Sequence, residues 1–156
     1  EHPRLNASLD GDSIKLWPQI DIRLAVDTER GLLAPMVRGM DRKELAQLAT
    51  ETAALAERAR SGKCTPDELT GSTFTLTNLG MFGIDAFTPI INLPECAILG
   101  VGRIKTQPVW AGDHVEPRQV VWLSLTFDHR LVDGGPAARF LQRVAQLVEK
   151  PHLLMA

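Results

Sequence analysis

The segment from Phe127 to Gly135 has the residue types and spacing of a catalytic centre. His129 follows an alternating, strand-like stretch, and Asp133 comes four residues later, where a helix is predicted to begin. An imidazole held at the end of a strand can face a cleft, and its pKa near neutrality suits a general base. A structural interpretation stays open as well, because a histidine at a strand end commonly packs against neighbours and Asp133 is a suitable helix N-cap.

A second candidate lies between Thr73 and Gly83. Thr75 and Thr77 are two residues apart in a strand-like pattern, so both hydroxyls lie on one face. A hydroxyl fixed there could donate a hydrogen bond to a developing oxyanion. The high β-propensity of threonine explains the same pattern without catalysis. The glycines of this segment do not form a phosphate-binding loop, because neither a Walker lysine nor a helix follows them.

The composition argues against several other kinds of function. The four histidines are scattered and Cys64 and Cys96 lie far apart, so we predict no metal site, no disulfide scaffold and two reduced thiols. With 17 basic and 19 acidic residues, the chain lacks the excess of positive charge typical of a nucleic-acid binder. No apolar run approaches the roughly 20 residues that span a bilayer, and the first residues do not resemble a signal peptide.

The elements that must position these residues form an α+β pattern. A chain of 156 residues predicts one domain. Strands come in runs with few helices between them, which favours a mixed or antiparallel sheet. The predicted strands cover residues 13–27, 32–37, 72–78, 95–103 and 117–127, with a hairpin turn at 111–113. The predicted helices cover 41–60 with Asp41 as N-cap, 133–149, and between them a short helix that starts at Thr65, with Thr65 and Glu68 spaced as a capping box. Residues 3–8 are interpreted as a frayed helix end.

Five stretches of the sequence resemble the dihydrolipoamide acyltransferases, the core components of the 2-oxoacid dehydrogenase complexes. The D-H-R-L-V-D-G of residues 128–134 is similar to the signature of that family. The other four stretches agree in order and spacing: A-V-D-T-E-R-G-L at 25–32, G-S-T-F-T-L-T-N-L-G at 71–80, F-T-P-I-I-N at 87–92 and P-E-C-A-I-L-G-V-G at 94–102. The resemblance covers nearly the whole chain.

The resemblance implies a chloramphenicol-acetyltransferase-like fold, a mixed sheet flanked by helices that assembles as a homotrimer. The active site would lie in a channel between two subunits, which coenzyme A enters from one side and the lipoyl arm from the other. His129 matches the general base of the family, and Thr77 matches its oxyanion donor. Asp133 matches the acidic residue of the signature and is given an orienting role, while Asp27 and Leu99 match positions that line the channel. No metal is implied.

The resemblance also implies partners and a larger assembly. The lipoyl group would lie on a domain not present in this chain, and the trimers would form a cage that binds lipoyl domains, a 2-oxoacid decarboxylase and dihydrolipoamide dehydrogenase. Residues 1–156 would then be a single catalytic domain that lacks its N-terminal portion, the lipoyl domain and the subunit-binding domain. The expected acyl group is acetyl or branched-chain, with succinyl not distinguished. A bacterial cytoplasm is the default location, and a mitochondrial matrix fits equally well.

Two other functions stay open from the sequence. The chain could be a structural core fragment of such a complex that assembles without catalysis in this truncated form. It could also be a free-standing coenzyme A acetyltransferase acting on a small alcohol or amine, although Arg130 and the match of residues 73–78 favour the lipoamide branch. Acyl transfer by the purified chain, with thiol and non-thiol acceptors, distinguishes these functions.

Overall fold

The computed structural model describes residues 1–154, in which a mixed five-stranded sheet is packed against a long C-terminal helix. The strands are β1 Ala7–Asp10, β2 Ser13–Leu16, β3 Ile22–Leu24, β4 Val26–Thr28, β5 Gly31–Leu33, β6 Met36–Val37, β7 Phe74–Asn78, β8 Ala97–Val101, β9 Lys105–Ala111, β10 His114–Val120 and β11 Leu123–Phe127. The α-helices are α1 Leu45–Arg60 and α2 Gly134–Glu149. Single 3-10 turns cover Pro3–Leu5, Met40–Arg42, Pro66–Glu68, Gly80–Phe82 and Pro151–Leu154.

The central sheet has the strand order β11-β8-β7-β3-β6. Its three central strands are parallel, since β7 pairs in parallel with both β3 and β8. The two outer strands, β11 and β6, run antiparallel to their neighbours. Three separate two-stranded ribbons, β1–β2, β4–β5 and β9–β10, complete the strands of the described residues. This mixed sheet with two helices confirms the predicted α+β class.

The core lies between one face of the sheet and α2. Alternate residues of β7, β8 and β11 point to this face, because successive side chains of a strand point to opposite sides. Phe74, Leu99 and Phe127 are among them, and they pack with Ala137 and Phe140 of the helix. The apolar residues of α2, which recur at helical spacing, therefore face the sheet. The opposite face of the sheet contains Thr75 and Thr77, and no part of α2 covers it.

The start of α1 differs from the prediction. Asp41 does not cap this helix, because it lies in a separate 3-10 turn, Met40–Arg42, that ends in extended backbone at Lys43. The helix begins at Leu45 with Glu44 as N-cap and without a side-chain capping bond. The Nζ atom of Lys43 instead bonds Glu51 on the second turn, at 2.8 Å from Oε1. The capping box predicted at Thr65 does form, but it caps only a 3-10 turn.

Three other parts of the prediction are also corrected. Residues 3–8 are not a helix end: after one 3-10 turn the chain enters β1, which pairs with β2. The predicted strand 117–127 is interrupted at residues 121–122 and belongs to two elements, β10 and β11. The prediction also missed β9, which pairs with β10 so that Pro108 lies opposite Pro117. Prolines are accepted there because the ribbon has open edges where no amide donor is needed.

One further strand prediction differs from the structure. The strand predicted at 32–37 is divided around Pro35 into β5 and β6, which belong to different sheets. Among residues 1–154, neither α-helix combines the length and the apolar content that crossing a membrane requires.

Candidate active site

His129 lies in a tight turn between β11 and α2. The amide of Asp128 extends the β11–β8 pairing by donating to the carbonyl of Cys96 at 2.8 Å. The carbonyl of Asp128 then accepts the amides of Leu131 and Val132, at 3.0 and 3.1 Å, which closes the turn. Because both ends of the turn are bonded, the sheet and the helix fix the backbone position of His129. Its side chain is 70% exposed.

The neighbours of His129 brace this turn. The Nε atom of Arg130 donates to both carboxylate oxygens of Asp128, at 3.0 and 3.1 Å, and Nη2 donates to Oδ2 at 2.7 Å. The Arg130 side chain, through these hydrogen bonds, holds the pKa of the Asp128 carboxyl below its ordinary value. The sequence prediction missed this brace, although the spacing of opposite charges two residues apart was a signal that could have indicated it.

Asp133 lies beside the imidazole of His129. Its Oδ1 atom is 3.7 Å from Nδ1 of the histidine, which is longer than a hydrogen bond. Asp133 occupies the N-cap position of α2 without donating or accepting a side-chain capping bond. Its carboxylate is therefore free to turn toward the histidine. The structure brings these two predicted residues together as neighbours at one solvent-exposed site.

Thr77 lies on β7, on the face of the sheet turned away from α2. It pairs in parallel register with Gly100 of β8. Gly100 has no side chain, and the ring of Phe87 lies over it: a Cβ built on Gly100 would be 3.0 Å from the ring. Phe87 and Thr77 therefore line the same depression of the sheet surface.

Two cavities meet at Thr77. We call them cavity A, with a volume of about 670 Å³, and cavity B, with a volume of about 540 Å³. Both are lined by Ala25, Leu32 and Thr77. Further residues lining cavity A include Arg23, Thr75, Phe87, Ile90, Asn92 and Ile98. Further residues lining cavity B include Asp27, Thr52, Arg60, Asn78, Met81 and Phe82.

The two predicted channel residues lie in different environments. Asp27 is exposed on β4 and lines cavity B together with Thr77. Leu99 is 8% exposed and packs in the core, opposite Leu125 of β11 and Leu76 of β7. The assignment of Leu99 to a channel stays a prediction, and within this chain its side chain contributes to the core.

The structure does not bring His129 and Thr77 together within one chain. Thr77 is level with Gly100 and therefore with Ser124 on β11, two strands away. From Ser124 the chain runs four residues to Asp128, which is roughly 13 Å along the strand, and the two strand spacings add about 10 Å sideways. The backbone of Asp128, which directly precedes His129, is thus roughly 16 Å from that of Thr77, and His129 and Thr77 lie at opposite ends of the sheet.

The described residues contain no ready-made metal centre. Among residues 1–154, no three side chains of the types His, Cys, Asp or Glu are placed to hold a metal ion. The two cysteines are free, and burial raises the pKa of the Cys96 thiol to about 11. A thiol with that pKa is a poor nucleophile near neutrality, so Cys96 is a core residue.

The sequence is similar to known proteins along its whole length. Residues 1–156 match the family model described as 2-oxoacid dehydrogenases acyltransferase (catalytic domain). The chain is 47% identical over 150 residues to the dihydrolipoyllysine-residue acetyltransferase component of the pyruvate dehydrogenase complex of Azotobacter vinelandii, covering 95% of this chain and 24% of that protein. It is 43% identical over 154 residues to the dihydrolipoyllysine-residue succinyltransferase component of the 2-oxoglutarate dehydrogenase complex of Haemophilus influenzae, covering 99% of this chain and 38% of that protein.

Solved structures show the same relationship. A dihydrolipoamide acetyltransferase of A. vinelandii superimposes on this chain with a TM-score of 0.94 at 46% identity, covering 99% of this chain and 64% of that one. That structure was solved to investigate the role of a serine, a histidine and an asparagine in the catalytic mechanism. Chloramphenicol acetyltransferase superimposes with a TM-score of 0.56 at 17% identity, covering 92% of this chain and 69% of that one. The second likeness confirms the predicted fold. The chain spans between a quarter and two fifths of the length of the curated relatives named above.

Proposed function

Because the chain belongs to the 2-oxoacid dehydrogenase acyltransferase family (catalytic domain), we propose that it transfers an acyl group between a dihydrolipoyl arm and coenzyme A. The observation that best supports this proposal is that cavities A and B meet at Thr77. A reaction between two thiol-bearing chains needs two approaches that converge on one hydrogen-bond donor. Holding the two chains end to end supplies much of the rate enhancement, because the reaction then becomes effectively intramolecular.

The residue roles are supported by sequence intervals. In the A. vinelandii protein the serine precedes the histidine by 52 residues, and the asparagine follows the histidine by 4. The same intervals separate Thr77 from His129 and His129 from Asp133 in this chain. Threonine preserves the hydroxyl of serine, and Asp133 replaces the amide of asparagine with a carboxylate. We therefore assign the general base to His129, the oxyanion donor to Thr77 and an orienting role to Asp133.

The proposed reaction is a direct transfer between thiols. His129 accepts the proton of the attacking thiol, whose sulfur then adds to the thioester carbonyl of the other substrate. Thr77 donates a hydrogen bond to the tetrahedral oxyanion, a contribution typically of about 10²–10³ in rate. The intermediate collapses by expelling the second sulfur, which takes the proton back from His129. General acid–base help of this kind contributes about 10²–10⁴.

The separation of His129 and Thr77 supports a site shared between two copies of the chain. Both groups must reach one reacting carbonyl and its attacking sulfur, yet their backbones are roughly 16 Å apart or more within one chain. Their side chains cannot close that distance, and they project from opposite ends of the sheet. A second copy that presents its His129 to the Thr77 of the first completes the site. The proposed assembly is the homotrimer that the family resemblance implies, and a ring of three copies that repeats one interface contains three such sites.

The proposed substrates are an uncharged acyl group, acetyl or branched-chain, and a lipoyl arm on a domain outside this chain. Apolar side chains form most of the lining of both cavities, which favours an acyl group without a carboxylate. The curated relatives include acetyltransferase and succinyltransferase components of multienzyme complexes. We therefore expect a 2-oxoacid decarboxylase and dihydrolipoamide dehydrogenase as partners, in a larger cage of trimers.

The test is acyl transfer to dihydrolipoamide by the purified chain, with acetyl-, isobutyryl- and succinyl-CoA as donors. The proposal expects transfer from an uncharged donor and a loss of about 10²–10⁴ in His129→Ala. His152→Ala is the matched control, because this exposed histidine lies in the last 3-10 turn, and it should keep wild-type activity. An assembled trimer that transfers none of the three groups would instead assign the chain a structural role in the complex.

A further inference from the structure

A buried carboxylate lies beneath the wall of cavity A. Glu95 is 2% exposed, and its two carboxylate oxygens accept the hydroxyls of Ser72 and Thr75. The Nε atom of Arg23 is 3.6 Å from Oε1 of Glu95 and also donates to the Ser72 hydroxyl at 2.8 Å. A carboxylate loses several kcal/mol of hydration on burial, so it is retained only where donors of this kind surround it.

This network connects three parts of the structure. Glu95 follows the segment 87–94, and five residues of that segment line cavity A: Phe87, Pro89, Ile90, Ile91 and Asn92. The amide of Glu95 donates to the carbonyl of Asn92 at 3.0 Å, which closes the end of the segment. Arg23 and Thr75 are register partners on β3 and β7, and Thr75 precedes Thr77 by two residues on the same face. The carboxylate therefore joins the wall of cavity A to the strand that contains the oxyanion donor.

A contribution to stability does not by itself explain why the chain retains this buried network. Replacing a buried ion pair by well-packed apolar residues is often neutral or stabilising. The Glu95 carboxylate bonds the face of the sheet opposite the α2 core, where Thr75 and Arg23 line the cavity. Its hydrogen bonds fix direction as well as distance, because charge-assisted bonds are short and directional. A network of this kind suits a wall that must keep its position while a substrate enters.

We propose that Glu95 is a positioning residue that holds segment 87–94 in place and thereby sets the binding of the dihydrolipoyl arm in cavity A. This inference rests on the proposed acyl transfer. Among the described residues lining cavity A, Arg23 alone is charged, and Glu95 balances that charge. A nearly neutral, apolar cavity fits the uncharged dihydrolipoyl arm better than the phosphates of coenzyme A. Cavity B, which is lined by both Asp27 and Arg60 and is therefore more polar at its rim, is left for the acyl-CoA.

Two variants test this role, one by changing Glu95 itself and one by removing a donor to it. Glu95→Gln removes the charge and keeps the shape, so one acceptor oxygen becomes an NH2 donor facing a hydroxyl. Ser72→Ala removes one donor to Glu95 and leaves the carboxylate in place, and Ser72 is not among the residues lining cavity A. Glu149→Gln, at the exposed end of α2, is the matched control. The measurement is steady-state transfer with dihydrolipoamide and the acyl-CoA varied separately.

The proposal expects KM for dihydrolipoamide to rise by about tenfold in Glu95→Gln and less in Ser72→Ala, because a misplaced wall weakens binding of the arm it contacts. KM for the acyl-CoA and kcat should stay within about twofold of wild type, since His129 and Thr77 remain in place. Equal rises in both KM values, or no rise in either, would overturn the proposal.

Hydrogen exchange provides a readout that does not depend on activity. Exchange of the amide of residue 95, whose hydrogen bond to the Asn92 carbonyl closes segment 87–94, should become faster in Glu95→Gln and Ser72→Ala and stay unchanged in Glu149→Gln. If exchange there is unchanged, Glu95 does not hold the segment and the inference fails even where transfer is observed. If the wild-type chain transfers no acyl group, the proposed function fails by itself, and exchange then decides whether Glu95 holds the wall.

Discussion

A mixture of two inactive variants should recover activity if the active site is shared between subunits. His129→Ala removes the proposed base, and Thr77→Ala removes the proposed oxyanion donor. Each variant alone assembles only sites that lack one of the two groups. The two positions are roughly 16 Å apart or more within one chain, so a complete site needs each group from a different copy. Trimers that contain both variants therefore contain complete sites.

The size of the recovery follows from the geometry of a cyclic trimer. Going around the ring, each subunit presents its base to the oxyanion donor of the next, which gives three sites of one kind. A ring with two copies of one variant and one of the other contains one junction at which both groups are intact. Mixed trimers should thus have about one third of wild-type activity, with either variant in excess.

The assay uses the two variants with different affinity tags, produced together in one cell. Sequential purification on both tags removes trimers of a single type and leaves the mixed ones. Acyl transfer from acetyl-CoA to dihydrolipoamide is then compared with that of each variant purified by itself. The single-type trimers should be about 10²–10⁴ below wild type for His129→Ala and about 10²–10³ below for Thr77→Ala.

The result that would refute this reasoning is a mixed preparation no more active than the single-type trimers. Every chain contributes one defective residue, so a site built within one chain stays incomplete in any mixture. The control is His129→Ala produced with both tags, which passes the same purification and should show no recovery. Recovery in that control would indicate contaminating wild-type enzyme rather than a shared site.

Three further predictions concern stability and reactivity. Gly102→Ala should lower the free energy of unfolding by about 1–3 kcal/mol or more in urea titrations, because a Cβ there would lie 1.8 Å from the carbonyl of Asp85; an unchanged midpoint would contradict this. Arg130 depresses the pKa of Asp128, so this stabilisation is present near neutrality and lost as pH falls through the native pKa. The stability difference between wild type and Asp128→Asn should therefore shrink from pH 7 toward about pH 3, whereas a constant difference would argue against the ion pair. Burial raises the pKa of Cys96 to about 11, so iodoacetamide at pH 8 should label Cys96 only after unfolding. Labelling mapped to Cys96, as distinct from the partly exposed Cys64, in the native protein would be inconsistent with that burial.

The elements predicted best from the sequence are those whose pattern is local and regular. The helix predicted at 133–149 agrees with α2, because its apolar side chains recur at helical spacing and face the sheet. The strand predicted at 72–78 agrees with β7, where threonines alternate with apolar residues. In both elements the hydrophobic period matches the secondary structure that forms, so neighbours along the chain suffice for the prediction.

The secondary-structure prediction failed where a local sequence signal was overridden by contacts with other parts of the fold. Asp41 has the sequence of a capping box with Glu44, but the chain forms a separate 3-10 turn there and the helix begins one turn later. The β9–β10 hairpin contains Pro108 and Pro117, residues that normally argue against a strand. They are tolerated because the ribbon has no further neighbours in the described chain.

In the candidate site, too, some features follow from the sequence and others only from the tertiary structure. The sequence by itself determined which groups the candidate site contains: a histidine, an aspartate four residues after it and a threonine 52 residues before it, to which we assign the proposed roles. Tertiary structure decided their arrangement, because strand register places Thr77 and His129 at opposite ends of the sheet. It also decided that two cavities meet at Thr77 and that Glu95 lies buried beneath one wall. Residue types and spacing are fixed along the chain, whereas register and burial arise from contacts between distant segments, which local patterns leave undetermined.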